Sequence, residues 1–130
     1  MGQFLLSVPS GLCDQEDLRE ENPLFAAAVR EIEEETGLHV SKQDTLEIVN
    51  PCLFSTPGLS DESTALIRAT LHLDADARMT DANTCGTEVM KDFSLITKEE
   101  AKKILRDGRD QDGIFYSIAT WTALAQFAFF

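Results

Sequence analysis

Apolar positions along the chain recur in two periods. Between Pro23 and Thr36, the side chains of Phe25, Ala28, Val29 and Ile32 fall within about one third of a helix circumference at ~100° per residue. That spacing predicts an amphipathic helix whose apolar stripe packs on a sheet. Asn22 stands at the N-cap, Pro23 at the first helical position and Gly37 just past the last turn. A second helix is predicted to open at Thr97, with Glu100 completing a capping box, and to close near Asp107-Gly108. A third covers residues 117–129. Short apolar and β-branched runs at residues 3–8, 46–54, 64–73 and 93–96 read as strands. Pro9-Ser10-Gly11, residues 41–45 and Thr56-Pro57-Gly58 mark turns between elements. Strands and helices alternate without a regular βαβ period, so the expectation is a mixed, layered α/β fold.

Composition narrows the picture. At 130 residues, 43% of them hydrophobic, the chain fits a single domain over residues 1–130. Its formal charge is −12, which gives duplex nucleic acid or an anionic membrane nothing to bind. If the protein handles phosphate, a bound cation must supply the positive charge. Cys13, Cys52 and Cys85 form no CxxC pair and suggest neither a disulfide framework nor a zinc site, which suits a reducing cytoplasm. The most apolar stretch, residues 118–130, is shorter than the ~20 residues of a membrane span.

The acidity is concentrated. Residues 14–35 hold nine acids against Arg19 and Arg30, more than half of the net charge. In the first helix Glu31, Glu34 and Glu35 share one arc by i,i+3 and i,i+4 spacing. Composition alone favours a solvated acidic face. Like charges at i,i+4 nevertheless cost about 0.2–0.5 kcal/mol per pair, and carboxylates in a last turn oppose the helix dipole. A divalent cation relieves both, and hard oxygen donors suit Mg²⁺, Mn²⁺ or Ca²⁺ better than zinc.

The run Arg30-Glu31-Ile32-Glu33-Glu34-Glu35-Thr36-Gly37-Leu38 fits R-E-U-x-E-E-x-G-U, with U aliphatic, at every fixed position. It resembles the second half of the Nudix hydrolase signature. The first half, G-x5-E-x7-R, is displaced: its Glu position falls on Asn22 and its Gly position on Glu16, while Gly11 is the nearest glycine. An acidic insertion around residues 17–21 accounts for both offsets and makes Glu21 the stand-in for the missing Glu. Val8-Pro9-Ser10-Gly11-Leu12 and the Pro57-Gly58 loop resemble the branch that cleaves ADP-ribose and related nucleoside diphosphate sugars.

That resemblance implies a Nudix-like α/β/α layered fold with a mixed sheet, its first strands absent from this chain. It also implies Mg²⁺ (or Mn²⁺) held by Glu31, Glu34, Glu35 and the main-chain carbonyl of Ser10. Bound cations would neutralise the pyrophosphate and lower the pKa of an attacking water. Glu88, or failing it Glu34, would act on that water, and Pro57 and Gly58 would contact substrate. Arg30 and Glu21 would support the carboxylates from behind. The expected products are a nucleoside monophosphate and a sugar phosphate. Two other readings stay open: a Nudix enzyme acting on nucleoside triphosphates, and a catalytically impaired nucleotide-binding remnant. An unpaired first strand beside Trp121, Phe127, Phe129 and Phe130 suggests a homodimer. His39 and His72 stand in no motif and are read as structural, and Glu33 as solvated surface.

Overall fold

The computed structural model describes residues 4–80 and 92–130. In chain order it has a 3₁₀ turn at Asp17–Arg19, helix α1 (Pro23–Thr36), strands β1 (Thr45–Phe54) and β2 (Ser63–Thr70), and helices α2 (Lys98–Asp107) and α3 (Ile118–Phe129). Helix and strand are mixed, as expected of an α/β chain. The described residues divide into two compact units, one of residues 4–8, 55–62 and 94–130, the other of 9–54, 63–80 and 92–93.

The three helices form where their caps predict. Asn22 Oδ1 accepts from the Phe25 amide at 3.2 Å, and Gly37 closes α1 at φ 71°. Thr97 and Glu100 make the reciprocal capping box, at 3.2 Å and 2.6 Å, and Gly108 ends α2 at φ 73°. Ser117 caps α3 through the Thr120 amide. In this unit Ala101 on α2 meets Leu124 and Ala128 on α3, flanked by Leu6, Ile96, Ile104 and Leu105. Small side chains at the contact let the two helices approach closely. The Tyr116 hydroxyl donates to the Ile104 carbonyl at 2.9 Å. Only one face of α3 is covered, and Ile118, Trp121, Phe129 and Phe130 remain exposed.

The strands depart more from expectation. Within residues 4–8 no strand forms; Leu6 alone makes a parallel bridge to Tyr116, through its amide and the Phe115 carbonyl at 2.9 Å. Residues 93–96 are likewise not a strand, and Ile96 packs instead on the helix pair. The sheet of the described residues is a single antiparallel pair, β1 with β2. Its register runs from Thr45↔Thr70 to Phe54↔Ser63, with irregularities on either side of Asn50. Pro51 follows, and a proline has no amide to give the ladder. The Asn50 side chain takes up the Cys52 amide at 2.9 Å.

β2 stops at Thr70 rather than running on to Leu73, because Asp44 claims the next donors. Its carboxylate accepts from the Ser41 amide at 2.7 Å and from the His72 amide at 2.7 Å, with the His72 ring 3.3 Å away. The amide of Ser41 first, and that of His72 second, hold the Asp44 carboxyl at about 2, below the usual 3.8. A depressed carboxyl contributes stability in full above its unfolded value and loses it as pH falls toward the folded one. Asp44→Asn is therefore expected to melt at lower temperature than wild type at neutral pH, with the gap narrowing as pH falls from 3.8 to about 2. Melting curves across that range check this; a gap constant with pH would overturn it.

Candidate functional site

Helix α1 turns a different face inward from the one its apolar stripe predicts. Ala27 and Glu35 are buried, with Glu31 between them at i,i+4 spacing. Phe25 and Val29, with Ala26, instead floor an open groove of about 690 Å³, edged by Glu20, Glu21, Glu33 and Glu34. The reason lies in what covers the helix. The segment at residues 9–12 and the 3₁₀ turn lie on the Glu31 side, fastened there by polar contacts.

Those contacts are specific. The Ser10 amide donates to Glu35 Oε2 at 2.9 Å, and Glu35 is only 7% exposed. Gly11 packs against the Glu31 carboxylate, which any side chain at that position would have to displace. The Leu12 carbonyl accepts from Arg30 Nη2 at 2.8 Å. Three consecutive residues thus touch three different members of the glutamate-rich turn.

Arg30 is the hub of this unit's electrostatics. Nη2 and Nε donate to the two oxygens of Asp17 at 2.8 Å and 3.4 Å, and Asp14 lies 3.5 Å from Nε. Nη1 meets Glu31 at 2.7 Å and Glu34 at 3.4 Å. Asp17, followed by burial and Glu31, sets the balance at Arg30, and the guanidinium is held charged well above its ordinary value. In return the Arg30 bond, aided by the Asp14 backbone, keeps the Asp17 carboxyl below the usual range. Asp17 is 5% exposed.

The aspartates also lock each other. The Asp17 amide donates to Asp14 Oδ1 and the Asp14 amide to Asp17 Oδ2, both at 2.9 Å. The exchange is reciprocal in the manner of a capping box, although the N-cap of the 3₁₀ turn itself, Glu16, makes no side-chain cap bond. The sequence reading passed over Asp14 and Asp17, although their Asp-x-x-Asp spacing before a short turn is the signal that finds them.

Glu21 sits at the groove edge, and the upstream carboxylates that reach Arg30 are Asp17 and, at longer range, Asp14. Glu33 is not merely solvated: its Oε1 accepts from the Val40 amide at 3.1 Å and lies 3.0 Å from the His39 ring. Glu33→Ala strands that amide and is expected to cost about 1 kcal/mol. Glu33→Gln keeps an acceptor and should be close to neutral; urea titration of both variants checks the difference. Pro57 and Gly58 belong to the other compact unit. They form a tight turn in which the Leu59 amide returns to Thr56 at 3.1 Å and Gly58 takes φ 90°, the type II pattern. Glu88 lies outside the described residues.

The donor set suits a hard divalent cation. Asp14, Asp17, Glu31 and Glu34 are carboxylates gathered about one guanidinium, and Glu35 follows on the same helix, so negative charge is in excess. Their present placement serves Arg30 first. Among the described residues no three His, Cys, Asp or Glu side chains converge closely enough to hold an ion. A cation would have to draw Glu31 and Glu34 from Nη1. No helix among the described residues is long and apolar enough to cross a membrane. No protein-family model, curated protein or solved structure matches the chain.

Proposed function

We propose that the protein is a metal-dependent pyrophosphatase of the Nudix type, built on a Nudix-like α/β/α layered fold. It hydrolyses ADP-ribose or a related nucleoside diphosphate sugar to a nucleoside monophosphate and a sugar phosphate. One observation carries the reading: Ser10 and Glu35, 25 residues apart, are bonded, and Gly11 packs on Glu31. The two stretches that resemble the family therefore meet in space at the carboxylates.

The chain's own residues divide the work as follows. The Ser10 amide fixes Glu35 and leaves the Ser10 carbonyl on the same short segment. Arg30 pairs with Glu31 and Glu34 through Nη1, the contact that a bound cation would displace. Mg²⁺ or Mn²⁺, held by Glu31, Glu34, Glu35 and the Ser10 carbonyl, would supply charge neutralisation and a more acidic water. Glu34 is 29% exposed in its side chain, open enough to take a proton from that water. Glu88 stands first for that role, and Glu34 takes it failing Glu88.

Two further parts of the reading have separate support. The exposed Trp121, Phe129 and Phe130 on and beyond α3 favour a homodimer. Cys13 and Cys52 are exposed free thiols, a state that a reducing cytoplasm preserves.

Steady-state hydrolysis of nucleotide sugars, dinucleotides and nucleoside triphosphates is the test. Release of AMP and ribose phosphate from ADP-ribose is expected with Mg²⁺ or Mn²⁺, and EDTA should abolish it. A preference for triphosphates would move the activity to that class, and no hydrolysis of any substrate would overturn the proposal.

A further inference from the structure

We propose that Asp17 is a positioning residue that limits the hold of Arg30 on the glutamates to one nitrogen. The inference rests on the divalent-cation reading of Glu31, Glu34 and Glu35. A guanidinium offers five N–H donors in a rigid fork, so what occupies one side of the fork limits what the other side can reach. Here Nε and Nη2 face Asp17, Asp14 and the Leu12 carbonyl, which leaves Nη1 alone for Glu31 and Glu34. The anchoring side is the more rigid one. Asp17 is buried and locked by the reciprocal amide bonds with Asp14.

Arg30 is consequently an internal cation in competition for the carboxylates that a metal ion needs. With Asp17 ionised, the guanidinium's charge is shared with a partner the metal does not use. With Asp17 neutral, the nearest remaining anions are Glu31 and Glu34, and the arginine moves onto them. Asp17 would thus raise cation affinity without touching the cation. A purely structural Asp17 makes a different forecast: its loss loosens the turn and lowers stability, while the state of Arg30 has no bearing on metal binding.

The experiment is a titration of the full chain with Mn²⁺, followed by the electron paramagnetic resonance of the free ion. Asp17→Asn should weaken Mn²⁺ binding about tenfold, the lower end of what losing a supporting partner costs. Asp17→Glu, which keeps the charge, should bind near the wild-type level. Adding Arg30→Met to Asp17→Asn should restore affinity, since the competitor is gone. Wild-type affinity in Asp17→Asn, or a double variant as weak as the single, overturns the inference. Circular dichroism checks folding. If Asp17→Asn does not fold, Arg30→Met alone decides: binding at least as tight as wild type supports competition, and weaker binding overturns it. Absence of Mn²⁺ binding in the wild type itself is a separate result, which removes the cation reading and the inference with it.

Discussion

Glu35→Gln is expected to lower hydrolysis of the diphosphate substrate at least ~100-fold while leaving the protein folded. Glutamine matches glutamate in size and helix propensity, and its carbonyl can still accept the Ser10 amide that Glu35 now holds at 2.9 Å. What it lacks is the negative charge, and a neutral amide is a poor ligand for Mg²⁺ in place of a carboxylate. Stability feels two opposed effects. Removing a carboxylate from the last turn of α1 relieves the helix dipole by about 0.3–1 kcal/mol. Replacing a charge-assisted hydrogen bond with a neutral one at a site 7% exposed costs a comparable amount. The two nearly cancel, so the melting temperature should move little. Measurement of kcat beside a thermal melt separates the outcomes. A folded variant with the wild-type rate would remove Glu35 from the proposed metal site, and an unfolded one would make it a structural anchor instead.

How much of this was legible depends on whether the signal was local. All three helices stood where their caps placed them, because Asn22, the Thr97–Glu100 box, Ser117 and the closing glycines act within one turn of the backbone they satisfy. β1 was legible from its own apolar run, and so was the start of β2. The end of β2 was not, since it is set by Asp44, a residue 28 positions before the His72 amide it captures. Residues 4–8 carry a strand-like pattern, yet a strand also needs a neighbour, and Leu6 finds only the backbone leading into α3.

The site shows the same divide. Spacing alone placed Glu31, Glu34 and Glu35 on one arc of α1, and the assignment of Arg30 to a neighbouring carboxylate matches its contact with Glu31. Which face of the helix turns inward could not be read from Phe25, Ala28, Val29 and Ile32. The segment at residues 9–12 pulls the polar side in through Ser10, Gly11 and Leu12. Counting along the motif puts Glu21 in the place of its missing upstream Glu, yet Glu21 edges the groove, and the upstream side chain bonded to Arg30 is Asp17, from a turn held by its own pair of aspartates. Motif counting assumes a fixed path for the chain, and a short acidic turn changes that path.

Gly11→Ala should separate function from stability in the opposite sense to an ordinary destabilising change. Gly11 does not need a left-handed backbone, so alanine is admissible there by conformation. Its methyl group would occupy the place of the Glu31 carboxylate. A carboxylate is the far end of a flexible side chain and can swing aside, so the fold loses little. Replacing glycine also reduces the freedom of the unfolded chain, worth about 0.4–1 kcal/mol. The variant should therefore melt within a few degrees of wild type. Activity is another matter, because Glu31 must leave the position from which it faces Arg30 and adjoins Ser10 and Glu35. Misplacing one proposed metal ligand in this way should lower kcat/KM roughly 10–100-fold. Gly108→Ala is the contrasting variant. That glycine ends α2 at φ 73° with open space around it, so alanine strains the backbone by about 1–2 kcal/mol and displaces no side chain. It should lower the melting temperature and leave kcat/KM unchanged at temperatures where the protein stays folded. Equal activity in Gly11→Ala and wild type would show that the close approach of residues 9–12 to Glu31 serves packing alone, and the observation that carries the pyrophosphatase reading would lose its force.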